Sequence, residues 1–475
     1  MERLEDGHTD EKRWLAEMEQ RQGFTWEVNN LLRSDRWSKP SRAVKQALDY
    51  ARVMGPEFDG RGFFRDRSTR RSTEWIRRLL RPKVMRIRPV LRFVTGTLSA
   101  VDQAMPVGRD LRRYLDRRRP DLLVLSPHLP PGSLHATYIK EAQARSIPVA
   151  LCIASWDNLT SKQLIRAVPD RTLVWNETQR REAVDIHGLP TDSIAVTGAQ
   201  VFDSWLEFQP STREAFCARA GLDPRRPFIL YTACALIPSR RTEWEWVVDW
   251  LDRLRAADDP LLRTAGVLVR PHPKRNPDWD NASVDDYENV VIFPHGHLHM
   301  PIEHDRRRDY YDSIHHSAAV VGLNSTAMIE AAIAGRPVYT MLVDEFHESQ
   351  GGMFHFEYLL DEFGGPVKPA RTFEEHHAHL AAALAGTDEQ ATERARRFVG
   401  AFVRPHGVDS PATPVVVETI EEVARAGRAE PLRAPFWVPP LRLVIVLAVY
   451  LAQPRQAWRG VRVRWGRLRR LAPAK

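Results

Sequence analysis

In RPHPKRNP, the residues Arg270, His272 and Lys274 occupy alternate positions directly after the apolar run GVLV. A guanidinium and an ammonium match phosphate oxygens as donors, and an imidazole fixed between two prolines can donate to a diphosphate or carry a proton. Proline punctuation is also ordinary loop chemistry, so a purely structural turn is the alternative. A second group, Asn324, Ser325 and Thr326, follows the apolar run Ala319 to Leu323 and precedes the helix formers Ala327 to Ala334, which Gly335 and Pro337 stop. A helix start after a strand presents free N–H groups that attract an anion, so this turn is expected to hold a phosphate. Glu330 completes the group. A capping box would need an acid at Met328 or Ile329, so Glu330, on the helical face of Thr326, is assigned to a sugar or ribose hydroxyl. The alternative is a well-capped βαβ crossover without a ligand. The third group, SWDNLTSK from Ser155 to Lys162, follows the run VALCIA and offers Trp156, Asp157, Asn158, Ser161 and Lys162. Asp157 is the candidate base for an attacking hydroxyl, with a turn or cap role as the alternative.

Such groups act together only if a scaffold ends several strands side by side. The pattern supplies one. Apolar runs at 122–125, 148–154, 173–175 and 193–196 alternate with helical stretches, and a second series runs through 228–232, 265–270, 290–293, 319–323 and 338–342. Alternation of this kind predicts parallel sheets covered on both faces. Residues 1–60 show no strand pattern, and 1–120 read as largely helical and Arg-rich. The expected domains are 1–205, 206–427 and a basic amphipathic tail at 428–475. Gly198 in VTGAQVFD stands just after a strand, where a backbone can pass close to a ligand.

Charge narrows the partners. The net charge is +8, yet residues 434–475 carry nine Arg or Lys and no acid, and residues 61–120 carry eighteen basic against five acidic side chains. No nucleic-acid-binding motif accompanies these segments, so no specific nucleic-acid partner is expected. The run Leu441 to Ala452 is shorter than the roughly twenty residues that span a bilayer. With the arginines and Trp437, Trp458 and Trp465 around it, it predicts an interfacial helix on an anionic membrane, or else a core-docked helix with a solvated basic end. Cys152, Cys217 and Cys234 are widely spaced and suit a reducing cytoplasm. His295, His297 and His299 alternate without an established ligand spacing, so no metal site is expected. GxGxxG, GxxxxGK[ST] and GxSxG patterns are missing, which removes dinucleotide, P-loop and hydrolase-elbow readings.

Taken in order, SWDNLTSK, VWNETQRREAV, VTGAQVFD, VLVRPHP, VVGLNSTAMIEAAIAGRPV and FVRPHGVDSPATP resemble bacterial glycosyltransferase-like proteins of the GT-B fold, akin to enzymes of surface-polysaccharide synthesis. More remotely the chain is similar to CDP-glycerol glycerophosphotransferases and non-hydrolysing UDP-N-acetylglucosamine 2-epimerases. The resemblance covers about residues 120–425. It implies an α/β, GT-B-like fold of two Rossmann-like domains facing across a cleft, with a nucleotide sugar or CDP-polyol donor on the C-terminal domain and a glycan or lipid-linked acceptor on the N-terminal one. By that resemblance, Ser325 and Thr326 hold the donor diphosphate, Glu330 its hydroxyls, and Arg270 and His272 its phosphates. The implied enzyme is a metal-independent transferase without a cofactor. Proteins of this kind open with an apolar strand and a glycine-rich turn, and residues 1–60 hold neither. The first domain is therefore expected to lack its N-terminal strand.

Overall fold

The computed structural model describes residues 9–25, 35–126, 134–235, 239–272, 279–294, 304–427, 430–432 and 434–452. Among them ten strands form two sheets, parallel throughout. The first contains Leu123–Leu125 (β1), Val149–Cys152 (β2), Arg171–Val174 (β3) and Ile194–Val196 (β4), in the order β1-β2-β3-β4. The second contains Phe228–Thr232 (β5), Gly266–Arg270 (β6), Val290–Ile292 (β7), Ala319–Gly322 (β8), Val338–Met341 (β9) and Val367–Ala370 (β10), in the order β10-β9-β8-β5-β6-β7. Each sheet is a Rossmann-like α/β layer, as the expected GT-B-like class requires. No described strand precedes Leu123.

Strand β2 shows why the runs are continuous and not alternating. Val149 and Leu151 bury on one face with Ile139, Ala142 and Leu159, while Ala150 and Cys152 bury on the other with Leu173, Val416 and Ile420. Both faces of a parallel strand need apolar cover, so the period-2 signal disappears. In the second sheet the cover is aromatic. The helix Glu243–Arg255 starts with a capping box, in which Thr242 N–H donates to Glu245 Oε2 at 2.7 Å and Glu245 N–H to Thr242 Oγ1 at 3.2 Å. Its Trp246, Trp250, Leu251 and Leu254 form one stripe that buries against Tyr231, Val267 and Val321. The sequence pattern misses β10, since VKPA places Lys368 and Pro369 inside a strand. It lies at the sheet edge, where a proline's missing N–H breaks no ladder.

The chain divides into two compact units differently from the expected boundaries. One comprises Leu31–Thr197 with Pro414–Lys475, and the other Met1–Asn30 with Gly198–Thr413. Local bonding explains the junctions. Ala199 N–H donates to Val403 O at 2.9 Å, and the Asp203 carboxylate accepts from Ala412 N–H at 2.9 Å and Thr413 N–H at 2.6 Å, which ties 198–205 into the second unit. Val416 and Ile420, on the helix Thr413–Arg425, then bury on the first sheet. The 428–475 segment is not a separate body over its described part. Its helix Val438–Ala452 packs on the helix Arg88–Ala104, with Arg442 Nε donating to Ala104 O at 3.0 Å.

Candidate functional site

In the second sheet the strand order reverses between β5 and β8, so their carboxyl ends flank the crevice where open α/β sheets bind ligands. Thr232 pairs with Gly322 there. A Cβ on Gly322 would stand 2.8 Å from Thr232 Oγ1, so only glycine lets the strands close at this point. Asn324, Ser325 and Thr326 follow immediately, in a turn fixed on all sides. Thr340 Oγ1 donates to Gly322 O at 2.7 Å, and Gln350 Nε2 donates to Leu323 O at 3.1 Å. The Asn324 side chain donates to Ser349 O at 2.5 Å, and its N–H is directed to Cys234. Asn324 is thus a structural residue of the turn. Ser325 Oγ accepts from Ala327 N–H at 3.2 Å, and Thr326, at the N-cap, uses no side-chain cap bond and is exposed. The helix that follows, Ala327–Ile333, has seven residues. Two turns give a weak macrodipole, so the hydroxyls and local N–H groups carry the polarity of this turn.

Arg270, at the end of β6, and Glu330 are brought together by residues that the sequence did not single out. Tyr310, on the helix His304–His315, donates its hydroxyl to Glu330 Oε2, and the Trp205 indole donates to the same carboxylate. The Arg270 guanidinium lies 4.9 Å from the Tyr310 ring centroid and donates to Ser313 Oγ at 3.1 Å. Burial raises the Glu330 carboxyl to about 7, against the opposing pull of Tyr310, Arg270 and Trp205. Burial also lowers Arg270 to about 10, which leaves it charged at neutral pH. The result is a half-buried carboxylate that ionises near neutrality beside a fixed cation, at the carboxyl edge of the sheet. Trp205 stands two residues beyond VTGAQVFD and Tyr310 sits on a charged helix, and in both places an aromatic is an ordinary core signal that does not point to a site.

The loop after β2 is organised differently. Asp157 Oδ1 accepts from Ser155 Oγ at 2.6 Å and Asn158 Nδ2 at 3.3 Å, and Oδ2 accepts from Ser161 Oγ at 2.6 Å and Lys162 Nζ at 3.0 Å. A carboxylate has about four lone-pair sites, and these four donors use them. Trp156, Asn158 and Ser161 are buried, so the structure corrects their expected contact with an acceptor: they build the loop's interior. Asp157 and Lys162 remain partly exposed. His187 clamps the loop from outside, with Nδ1 accepting from Ile165 N–H at 3.0 Å and Nε2 donating to Leu159 O at 2.8 Å. The VWNETQ motif braces it too, since Gln179 Nε2 donates to Ser155 O at 3.1 Å.

Gly198 is a further correction. It takes φ +84°, and a Cβ there would lie 2.8 Å from Ala412 Cβ. What passes close to its backbone is the chain itself, not a ligand. VTGAQVFD and FVRPHGVDSPATP thus lock each other, with Arg404 Nη2 donating to Phe202 O at 3.3 Å. His272 is half-buried after the buried Pro271, while Lys274 and the histidines at 295, 297 and 299 lie outside the described residues.

No family model and no curated protein matches the chain. Among solved structures it is similar to UDP-GlcNAc 2-epimerase from Neisseria meningitidis bound to UDP-GlcNAc, at 15% identity, 70% of this chain, 82% of that one and a TM-score of 0.43. It is similar also to the wall teichoic acid polymerase TagF, at 12% identity, 59% and 69% coverage and a TM-score of 0.39. A glycosyltransferase from Rickettsia africae gives 12%, 68%, 81% and 0.42 in the same terms.

Proposed function

We propose that the chain transfers a sugar or polyol phosphate from a nucleotide-activated donor to an acceptor hydroxyl, in the assembly of a cell-envelope polysaccharide. The observation that carries this reading is the gathering of Arg270 and Glu330 around Tyr310 beside the switch point of the second sheet, with the Tyr310 hydroxyl on Glu330 and its ring centroid 4.9 Å from the Arg270 guanidinium. A fixed cation suits a diphosphate, and an ionised carboxylate suits the hydroxyls of a ribose or sugar. Ser325 and Thr326 would hold the diphosphate with their hydroxyls and N–H groups, joined by His272 and Lys274. Displacement is direct: the acceptor oxygen bonds to the transferred carbon or phosphorus, its proton passes to Asp157, and the electron pair of the broken bond leaves on the nucleotide phosphate. Arg270 and the turn would stabilise that charge as it develops. A panel of nucleotide sugars and CDP-polyols, with and without acceptors, tests the reading. Acceptor-dependent product is the expected result. Acceptor-free isomerisation would assign an epimerase, and binding without turnover a non-catalytic binding protein.

The same reading places the protein at the cytoplasmic face of an anionic membrane. None of the described helices is long and apolar enough to cross one. The outward side of the helix Val438–Ala452 is apolar, with Leu451 at 80% exposure, and Phe93 on its neighbouring helix reaches 75%. Trp75, Leu79 and Ile87 are exposed among the exposed cations Arg78, Arg81, Lys83, Arg86, Arg88 and Arg92. Apolar side chains interspersed with cations suit anionic headgroups, each nearby cation contributing about 1 kcal/mol. The double variant Leu79→Glu, Phe93→Glu should abolish sedimentation with phosphatidylglycerol vesicles at an unchanged melting temperature. Undiminished sedimentation would remove this face from the account.

A further inference from the structure

A recess in the first unit is formed by the helices Ser38–Val53 and Gly62–Arg71 and by the loop that carries Asp157. It is open to solvent, and the space in it amounts to about 500 Å³ when the solvent at its mouth is included. Four cations line it, Arg52, Arg67, Arg71 and Lys162, against the single carboxylate of Asp49. Arg67 is held in place, donating to Ser161 O at 2.7 Å with its guanidinium 5.0 and 5.2 Å from the rings of Phe63 and Phe64. Burial, with Arg71 one turn away as a like charge, lowers Arg67 to about 10, and burial raises the Asp49 carboxyl. Lys162 is paired with Asp157, and Arg52, Arg67 and Arg71 face the recess around Asp49.

We propose that this recess binds a phosphomonoester-type anion carried by the acceptor, an assignment that rests on the acceptor reading of the Asp157 loop. Guanidinium groups match two phosphate oxygens at once, and the hydroxyls of Ser68 and Thr160 line the same space. Lys162 joins the recess to the chemistry, because its Nζ lies 3.0 Å from Asp157 Oδ2. An anion in the recess draws that ammonium away. One lone pair of Asp157 is then released to receive the acceptor's hydroxyl proton. The saturated carboxylate thereby becomes a base only when a phosphorylated acceptor is in place.

The test is titration of the full-length protein with inorganic phosphate, glycerol 3-phosphate and phosphatidic-acid vesicles, comparing wild type with Arg71→Gln and with Arg70→Gln. Arg70 is exposed on the same helix and does not line the recess. Saturable binding of the soluble phosphates, weakened about tenfold by Arg71→Gln alone at an unchanged melting temperature, supports the site and a free phosphate ester. The same pattern with vesicles only supports a lipid headgroup as the source. Binding that Arg70→Gln and Arg71→Gln reduce equally, or no binding in any arm, overturns the proposal. With 13C-labelled aspartate, phosphate should shift the Asp157 carboxyl resonance in wild type and not in Lys162→Met; a wild-type resonance that stays put overturns the Lys162 step. Neither readout needs turnover, so a failed transfer assay would refute the proposed reaction and leave the anion site to be judged on its own.

Discussion

The loops that follow β2 and β8 each carry a carboxylate, and the two carboxylates are held in opposite ways. Asp157 is satisfied by Ser155, Asn158, Ser161 and Lys162, all within five residues of it in the chain. Glu330 is held by Trp205, Arg270 and Tyr310, which come from distant parts of the second unit. A locally satisfied carboxylate is an efficient turn builder and is closed to substrate until a donor is displaced. One that is assembled over long range, and raised to about 7 by burial, changes charge in the range where enzymes work. The sheets differ in the same sense. The first runs in simple sequential order, while the second reverses at β5 and β8 and so offers a crevice.

The largest effect that would sharpen this contrast is expected at Asp157. Asp157→Asn should lower turnover by roughly a hundredfold or more with donor affinity nearly intact, as for loss of a general base. Equal losses of melting temperature and of binding would show that the loop role is its whole role, a direct break in the comparison. At the other carboxylate, Arg270→Met should weaken donor binding by about ten- to hundredfold, the value of one or two charged hydrogen bonds. It should also move the Glu330 titration above its present value of about 7, because Arg270 opposes the effect of burial. Carboxyl 13C shifts against pH report that movement, and a titration left in place would mean that the guanidinium and carboxylate do not interact.

How much of this was legible in the residues depends on how local each cause is. Nine strands appear as apolar runs, most plainly β2, β5 and β8, where burial on both faces leaves little room for polar interruption, and β10 is hidden because an edge strand tolerates Lys368 and Pro369. The Ser155–Lys162 loop is visible for the same local reason, yet its density of polar residues reads as substrate capacity when most of it is spent inside the turn. Gly198 reads as a ligand approach because a glycine after a strand does not say what comes near; here it is Ala412. Arg270 and Glu330 are identified individually, but their meeting depends on the helix His304–His315 and on Trp205, which no spacing rule connects to them. The returning helix Thr413–Arg425 is missed because its apolar positions fit either unit equally well by pattern.

A smaller effect separates structure from binding at Gly198. Gly198→Ala should lower stability by about 1 to 3 kcal/mol through the left-handed backbone and the contact with Ala412, with no change in donor affinity. Denaturant unfolding beside a donor titration checks it, and a loss of affinity at unchanged stability would return Gly198 to the binding surface. The smallest effect is on stability against pH. Glu330 has a folded value of about 7 against an ordinary value of 4.5, so its contribution is fully present below about 4.5 and is lost as pH rises through 7. Glu330→Gln should therefore melt relatively higher, compared with wild type, at pH 8 than at pH 5. A difference that does not vary with pH would mean that the carboxyl is not raised.

The most direct measurement is calorimetric titration of nucleotide-activated donors into wild type and Glu330→Gln between pH 6 and pH 8. If the ionised carboxylate accepts donor hydroxyls beside Arg270, wild-type affinity rises with pH through about 7, and Glu330→Gln binds more weakly with no such rise. Wild-type affinity that is flat with pH and equal to that of the mutant would contradict the assignment of the second sheet's switch point as the donor site.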